Sequence, residues 1–378
     1  MAYLFIAISI VILYWRAHTF RPQGIASLTS LRAFAAAIVF AVHFNKQYLL
    51  EYPGLLSKLT RGGIEGVNVF FVLSGFLLTV TLARDLKSGS FSVRQYFIRR
   101  VARIYPLYFA LLFGVFLFAP DSVHPQNLFL LQGFYPSIVF SGIPTAWTLS
   151  VEECFYALLP IVLVSCLKLK PRIALPLWSA ILLTAGLLVV ALQIPFVLGS
   201  AQFAFALSIF GRFPIFAAGI ACAFLYERKK QYSAALLIGS SALLFVIMWA
   251  TAFEEYAPPF RITDYTAALA VGGIVLGLAS DNRLTRFLGN RYFAYLGAIS
   301  YALYLLQLTP MLSWLVPLTH SLPDLVAAYA IVTLCAMVCY ELIERPARAY
   351  ILQRVGRKTP ESVVLPVQAL SGNKPDAF

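Results

Sequence analysis

Arg32 and His43 lie eleven positions apart in one apolar run, LTSLRAFAAAIVFAVHFNKQYLL (28–50). On an α-helix, eleven steps of about 100° return the second side chain to within about 20° of the first and carry it about 16 Å along the axis. One helix face then presents a guanidinium and an imidazole at two depths. A guanidinium keeps its charge and grips phosphate or carboxylate oxygens with a rigid fork. An imidazole titrates near neutrality and can take and return a proton. The chemistry on offer is anion holding at one end and proton transfer at the other. Ionisable groups inside hydrocarbon are costly to insert and mark ligand or proton paths.

Two more ionisable positions stand in apolar runs. Glu152 is about six residues into a run that starts near 146, and Arg212 about eight residues into one that starts near 204. His43 is about seven residues from the outer end of its own run. At about 1.5 Å per residue, all three are expected about 10 Å deep, in one shared layer. Glu153 points about 100° away from its neighbour Glu152. A carboxylate beside an imidazole orients it and stabilises its protonated form. The other reading is that Glu152 pairs with Arg212 and closes the bundle. At the opposite end, Arg32 is level with Arg99, Arg100 and Arg103 in RQYFIRRVARIYPLY. That basic layer fits contact with lipid phosphates, and it also fits a pocket for a polyanionic ligand.

The elements that must position these residues are membrane helices. Sixty percent of the 378 residues are hydrophobic and 12% are charged, and runs of spanning length recur along the whole chain. The class is all-α and polytopic. Beyond the run at 28–50, spans are expected at about 64–83, 104–119, 146–167, 173–192, 204–226, 232–251, 265–280, 292–314 and 325–343. The net charge of +13 does not indicate nucleic acid, because most Lys and Arg fall in alternate connections. That asymmetry is the positive-inside pattern, and it favours about ten core helices with both core ends in the cytoplasm.

The domain expectation is a membrane domain over 28–350, preceded by an apolar helix and basic linker at 1–27 and followed by a mobile cytoplasmic tail at 351–378. Residues 2–15 are short for a span, which leaves an eleventh helix and an interfacial anchor both open. Cys154, Cys166, Cys222, Cys335 and Cys339 show no metal-ligand spacing and are expected to pack. The outer loops are short. In the longest, about 120–145, Asp121, His124, Gln126 and Asn127 with several aromatics are expected either to bind a sugar or to anchor the bilayer boundary. Two function classes follow from the buried groups: a membrane enzyme, or a proton-coupled transporter or flippase of a glycan or lipid precursor.

Several segments in order resemble the acyltransferase 3 family of integral-membrane O-acyltransferases. They are Arg32 to His43, GVNVFFVLSGFLLT (66–79), RRVARIYPLY (99–108), AWTLSVEECFY (146–156), GRFPIFAAG (211–219), ISYALYLLQ (299–307) and ERPAR (344–348). Thr29, Asn68, Ile215 and Gln307 depart from residues common in the family. The resemblance implies transfer of an acyl group, acetyl or succinyl, from cytoplasmic acyl-coenzyme A to a hydroxyl of an envelope carbohydrate, which is lipid-linked in one version. The setting it implies is a bacterial inner membrane, with membrane lipids as neighbours, no nucleic acid partner and no metal. It implies His43 as general base and Glu152 as the orienting acid. Arg32, Arg99, Arg100, Arg103 and Tyr105 would meet the coenzyme. Asn68, Ser74, Trp147, Glu153, Tyr156, Arg212 and Tyr301 would line the substrate path. Direct transfer and an acyl-enzyme relay both remain open at this level.

Overall fold

The computed structural model describes residues 2–22, 24–48, 62–192, 206–228, 231–251, 262–313 and 322–356. The expected tail beyond residue 356, with Lys58, Arg61 and Arg261, lies outside the described residues. Apolar runs in lipid satisfy their backbone groups internally, and helices do so within one segment. No strand occurs among the described residues.

The long elements are α1 (Ala2–Thr19), α2 (Ala26–Tyr48), α3 (Glu65–Lys87), α4 (Val93–Phe118), α5 (Trp147–Leu169), α6 (Pro171–Ala191), α7 (Ile209–Glu227), α8 (Ala234–Thr251) and α9 (Ile262–Leu278). Short helices follow: α10 (Arg283–Leu288), α11 (Arg291–Ala298), α12 (Ser300–Leu306) and α13 (Pro310–Ser313). The last two, α14 (Leu322–Cys339) and α15 (Arg345–Gly356), are joined through a wide π turn at Tyr340–Glu344. Among the described residues, 8 helices are long and apolar enough to cross a membrane, and Ile262–Leu278 is a shorter apolar helix. The chain is a multi-pass membrane protein.

Two expectations are corrected, and a choice left open is narrowed. The single span at 292–314 is broken into α11, α12 and α13. A Cβ at Gly297 would collide with the Thr29 carbonyl, so α11 rides backbone to backbone on α2 before the chain turns at Ile299. Pro310, with no N–H, opens the last piece. The tail does not begin at 351, because α15 continues to Gly356. Residues 2–19 form a helix packed on the bundle: Ser9 Oγ donates to the Ala330 carbonyl of α14 at 3.2 Å and Ala17 is fully buried.

Helix ends on the basic face meet one another. Lys87 of α3 pairs with Glu227 of α7 at 2.7 Å, and Arg291 of α11 donates to the His18 carbonyl of α1 at 3.4 Å. Between these ends, α3 and α7 pack through glycine. A Cβ on Gly219 would fall on the Val72 carbonyl, and one on Gly75 on the Phe216 carbonyl. Small residues let membrane helices approach this closely. Gly219→Val is therefore expected to overpack the contact by about 1–3 kcal/mol or more. A lowered melting temperature and yield of the purified protein check it.

The connection from α4 to α5 sets the depth of the site. It holds 3₁₀ turns at Pro120–Ser122, Pro125–Phe129, Gln132–Phe134 and Pro144–Ala146. Tyr108 OH donates to the Asn127 carbonyl at 2.6 Å, although α4 runs on for ten more residues, about 15 Å, to Phe118. The connection thus dips back into the bundle. Asn127 and Gln132 are fully buried, and the Asn127 amide bonds Ser141 and the His124 N–H. Asn127 holds the loop together and presents nothing to solvent. Helix α5 starts from this depth, not from the far surface.

Candidate active site

The register of α3 against α2 locates Glu152. Gly63 meets Ile38 and Val42, and Gly66 meets Ala35 and Val39, so α3 descends towards the basic face as α2 rises from it. Eight residues below Gly66, Ser74 falls near the level of Leu28 to Arg32. Ser74 Oγ donates to Glu152 Oε1 at 3.2 Å, and Tyr156 OH donates to Glu152 Oε2 at 2.6 Å. Arg32 and Arg103 also act on this carboxylate electrostatically.

Glu152 therefore belongs with Arg32. His43, half-buried, stands about three turns further towards the far face on the same side of α2. The shared layer expected for His43, Glu152 and Arg212 does not form. Counting depth from residue 146 assumed that α5 begins at the surface, whereas it begins inside.

Helix α4 brings two guanidiniums to the same place. Arg100 Cζ lies 5.8 Å from the Tyr156 ring centroid. Arg103 Cζ lies 5.9 Å from that of Tyr301, and Arg103 Nη1 is 3.5 Å from Glu344 Oε1. Tyr301 OH donates to the Ile104 carbonyl at 2.9 Å and Tyr96 OH to the Tyr156 carbonyl at 3.0 Å, which fixes α4 against α12 and α5. Arg348 acts electrostatically on both Arg103 and Glu344. Glu344, 2% exposed, enters the bundle through the π turn. There the Arg345 N–H bonds the Tyr340 carbonyl five residues back, and Pro346 offers no N–H to continue the α pattern.

The cluster is not closed on itself. Two buried donors, Arg32 Nε and Arg100 Nε, have no hydrogen-bond partner among the described residues, and neither do the buried acceptors Glu153 Oε1 and the two Glu344 carboxylate oxygens. Buried polar groups are ordinarily paired, so the two guanidinium donors mark a place for an acceptor such as an anion. The structure does not bring Arg99 to it: Arg99 Nη2 pairs with Asp85 Oδ2 at 2.7 Å. Tyr105 is half-buried, 5.3 Å from Phe109 between ring centroids, and interacts electrostatically with Glu153. Trp147 is half-buried at the start of α5.

A second polar cluster joins the far-face ends of three helices. Arg212 Nη1 pairs with Asp264 Oδ2 at 2.7 Å and donates to Asn68 Oδ1 at 3.3 Å, while Arg212 Nε donates to the Ala206 carbonyl at 2.7 Å. Asn68 Nδ2 in turn donates to Glu65 Oε2 at 2.6 Å, and Glu65 is 1% exposed. Arg212 is thus held by Asp264 of α9, and the alternative pairing with Glu152 is corrected. Asp264→Asn is expected to cost about 1–3 kcal/mol of stability, because Arg212 keeps two of its partners. Thermal unfolding with and without the substitution measures it.

Sequence reasoning missed Glu65, Asp264, Glu344 and Arg348 as members of these clusters. Their one signal was an ionisable residue at the edge of an apolar run.

The fold and the site define a polytopic membrane protein built around a buried, partly unpaired guanidinium cluster, with an imidazole further along the same helix face. A family model described as an acyltransferase domain, acyltransferase 3, matches residues 25–341, and the chain belongs to that family. Peptidoglycan O-acetyltransferase OatA of Listeria monocytogenes is 25% identical over 330 residues, covering 77% of this chain and 50% of the relative. A putative O-acetyltransferase of Staphylococcus aureus (strain COL) is 27% identical over 191 residues, 44% of this chain and 30% of its own length. Acyltransferase MdmB of Streptomyces mycarofaciens is 34% identical over 195 residues, 47% of each chain. The chain thus spans half or less of the length of these curated relatives. No solved structure matches.

Proposed function

We propose that the protein is a membrane O-acyltransferase that moves an acetyl or succinyl group from cytoplasmic acyl-coenzyme A to a hydroxyl of an envelope carbohydrate, lipid-linked or polymeric. The observation that carries the reading is the pair of unpartnered guanidinium donors on Arg32 and Arg100, beside Arg103 and Arg348. Coenzyme A brings phosphate oxygens, and guanidinium forks match them. Family membership and O-acetyltransferase relatives supply the reaction class.

In this reading the basic face is cytoplasmic, in a bacterial inner membrane, and residues 28–350 act as one domain. Arg32, Arg100 and Arg103 receive the donor phosphates. Glu152, held by Ser74 and Tyr156, is a positioning residue that keeps Arg32 and Arg103 together. The pantetheine arm runs up the α2 face, and His43 takes the proton of the acceptor hydroxyl. Arg212 and Asn68, near the far-face end of α3 and α7, meet the acceptor side.

Titration of the purified protein in nanodiscs with acetyl-coenzyme A and succinyl-coenzyme A tests the donor. Arg100→Ala and Arg103→Ala are each expected to weaken binding by about 10–100-fold, the value of one charge-assisted contact. Equal binding by both variants and the wild type would remove the donor assignment. Consumption of the thioester separates this reading from a transporter, which leaves it intact.

A further inference from the structure

The first turn of α5 lies inside the bundle without a side-chain cap. Ala146 precedes it, and no side-chain cap hydrogen bond forms there. The Trp147 N–H goes to the Thr145 carbonyl of the preceding 3₁₀ turn, and the next N–H groups are those that lack intrahelical carbonyl partners and carry the positive end of the helix dipole. Helix α5 is 23 residues long, so this is a fully developed helix end.

Polar side chains stand around that end with nothing to bond. Gln307 is 3% exposed, and its Nε2 and Oε1 both lack a partner among the described residues. The hydroxyl of Thr145, 2% exposed, is also unpaired there, whereas the side chain of Ser150 lies against Gly133 of the α4–α5 connection. Their convergence follows from the chain. Thr145 stands just before the Ala146 cap position, and Tyr304 OH donates to the Thr145 carbonyl at 3.4 Å. Gln307 is three residues after Tyr304, about one turn further from the basic face on the same side of its segment. It therefore overlooks the α5 terminus.

The level fits the acyl end of a donor held by the arginines. Gln307 is six residues, about 9 Å, beyond Tyr301, which sits under Arg103, while His43 is about 16 Å beyond Arg32. An arm that starts at the guanidiniums and rises along α2 passes this spot before it reaches the imidazole.

We infer that the first turn of α5 and the Gln307 amide form the site that holds the carbonyl oxygen of the donor thioester. The inference rests on the acyl-transfer reading above. The acceptor hydroxyl oxygen bonds to the carbonyl carbon while its proton passes to His43. The carbonyl π pair moves onto oxygen, where the Gln307 Nε2–H and an α5 N–H stabilise it. The pair then returns, the carbon–sulfur bond breaks, and the thiolate leaves with the proton from His43. Ester and free thiol are the products.

Membranes of cells producing the full chain, which carry their own acceptor, are supplied with radiolabelled acetyl-coenzyme A or succinyl-coenzyme A. Label in glycan and released thiol are both followed. Gln307→Met, close in shape but without a donor, is expected to lower kcat about 100-fold. Its KM and its donor affinity in nanodiscs should stay within about threefold of wild type, which a merely structural role would not preserve. The inference is overturned by a kcat within about threefold of wild type, or by a loss matched by lost donor binding. Where the Met variant does not fold, Gln307→Asn serves: it retains the amide but withdraws it, and wild-type kcat in that variant overturns the inference equally. A wild-type protein that neither binds nor cleaves either thioester would instead refute the acyl-transfer reading itself.

Discussion

His43→Ala is expected to lower acyl transfer by about 10³–10⁴-fold while leaving acyl-coenzyme A affinity within about twofold of wild type. The two halves of this expectation come from one helix. Arg32 and His43 share a face of α2, yet the axial rise keeps them about 16 Å apart. The donor phosphates therefore interact with groups that the substitution does not touch: Arg32, with Arg100 held at Tyr156 and Arg103 held at Tyr301 and Glu344. Removing a positioned general base typically removes most of its 10²–10⁴-fold contribution, and an alcohol acceptor, a poor nucleophile without one, lies at the upper end. Steady-state transfer and direct donor titration on the same preparation decide the matter. Equal transfer by His43→Ala would sink the general-base role, and donor binding lost in proportion would move His43 into the donor pocket. His43→Gln retains a polar side chain of similar reach without the base, and is expected to be as inactive as alanine.

Much of the framework is legible in the chain. Apolar runs and the alternation of Lys and Arg give the long spans, and the one-face relation of Arg32 and His43 follows from helix geometry alone. Depth is where the reading goes astray. Hydropathy marks where a run becomes apolar, not where its first residue lies along the membrane normal. The GIPTA segment ahead of Trp147 returns through buried 3₁₀ turns, so Glu152 stands beside Arg32 and not beside His43. Glu344 fails for a related reason. It looks like a juxtamembrane charge, but the π turn at Tyr340–Glu344 carries it inward to Arg103. Asp264 and Glu65 sit at run edges 199 positions apart, and only the fold brings both to Arg212 and Asn68.

The relocated Glu152 changes what its substitution should do. As a partner of His43, it would have affected proton transfer and little else. Near Arg32 and Arg103 its carboxyl group acts electrostatically on two guanidiniums in the bundle interior, with Ser74 and Tyr156 holding its two oxygens. Replacing it weakens the two buried hydrogen bonds from Ser74 and Tyr156 and takes its field away from the guanidiniums, a cost of about 1.5–3 kcal/mol. Glu152→Gln is therefore expected to lower the melting temperature of the ligand-free protein by several degrees. The same change removes the anion with which donor phosphates compete. Coenzyme A added in excess should then raise the melting temperature of Glu152→Gln by more than it raises that of the wild type, since a ligand that binds only the folded state stabilises in proportion to its affinity. Transfer by this variant is expected to fall even though binding is tighter, because Arg32 and Arg103 lose the carboxylate that sets their geometry. Thermal melts of both proteins across a coenzyme A series give the result directly. Identical ligand-induced shifts would mean that the phosphates do not bind at these arginines, and an unchanged ligand-free melting temperature would mean that Glu152 is not their counter-ion.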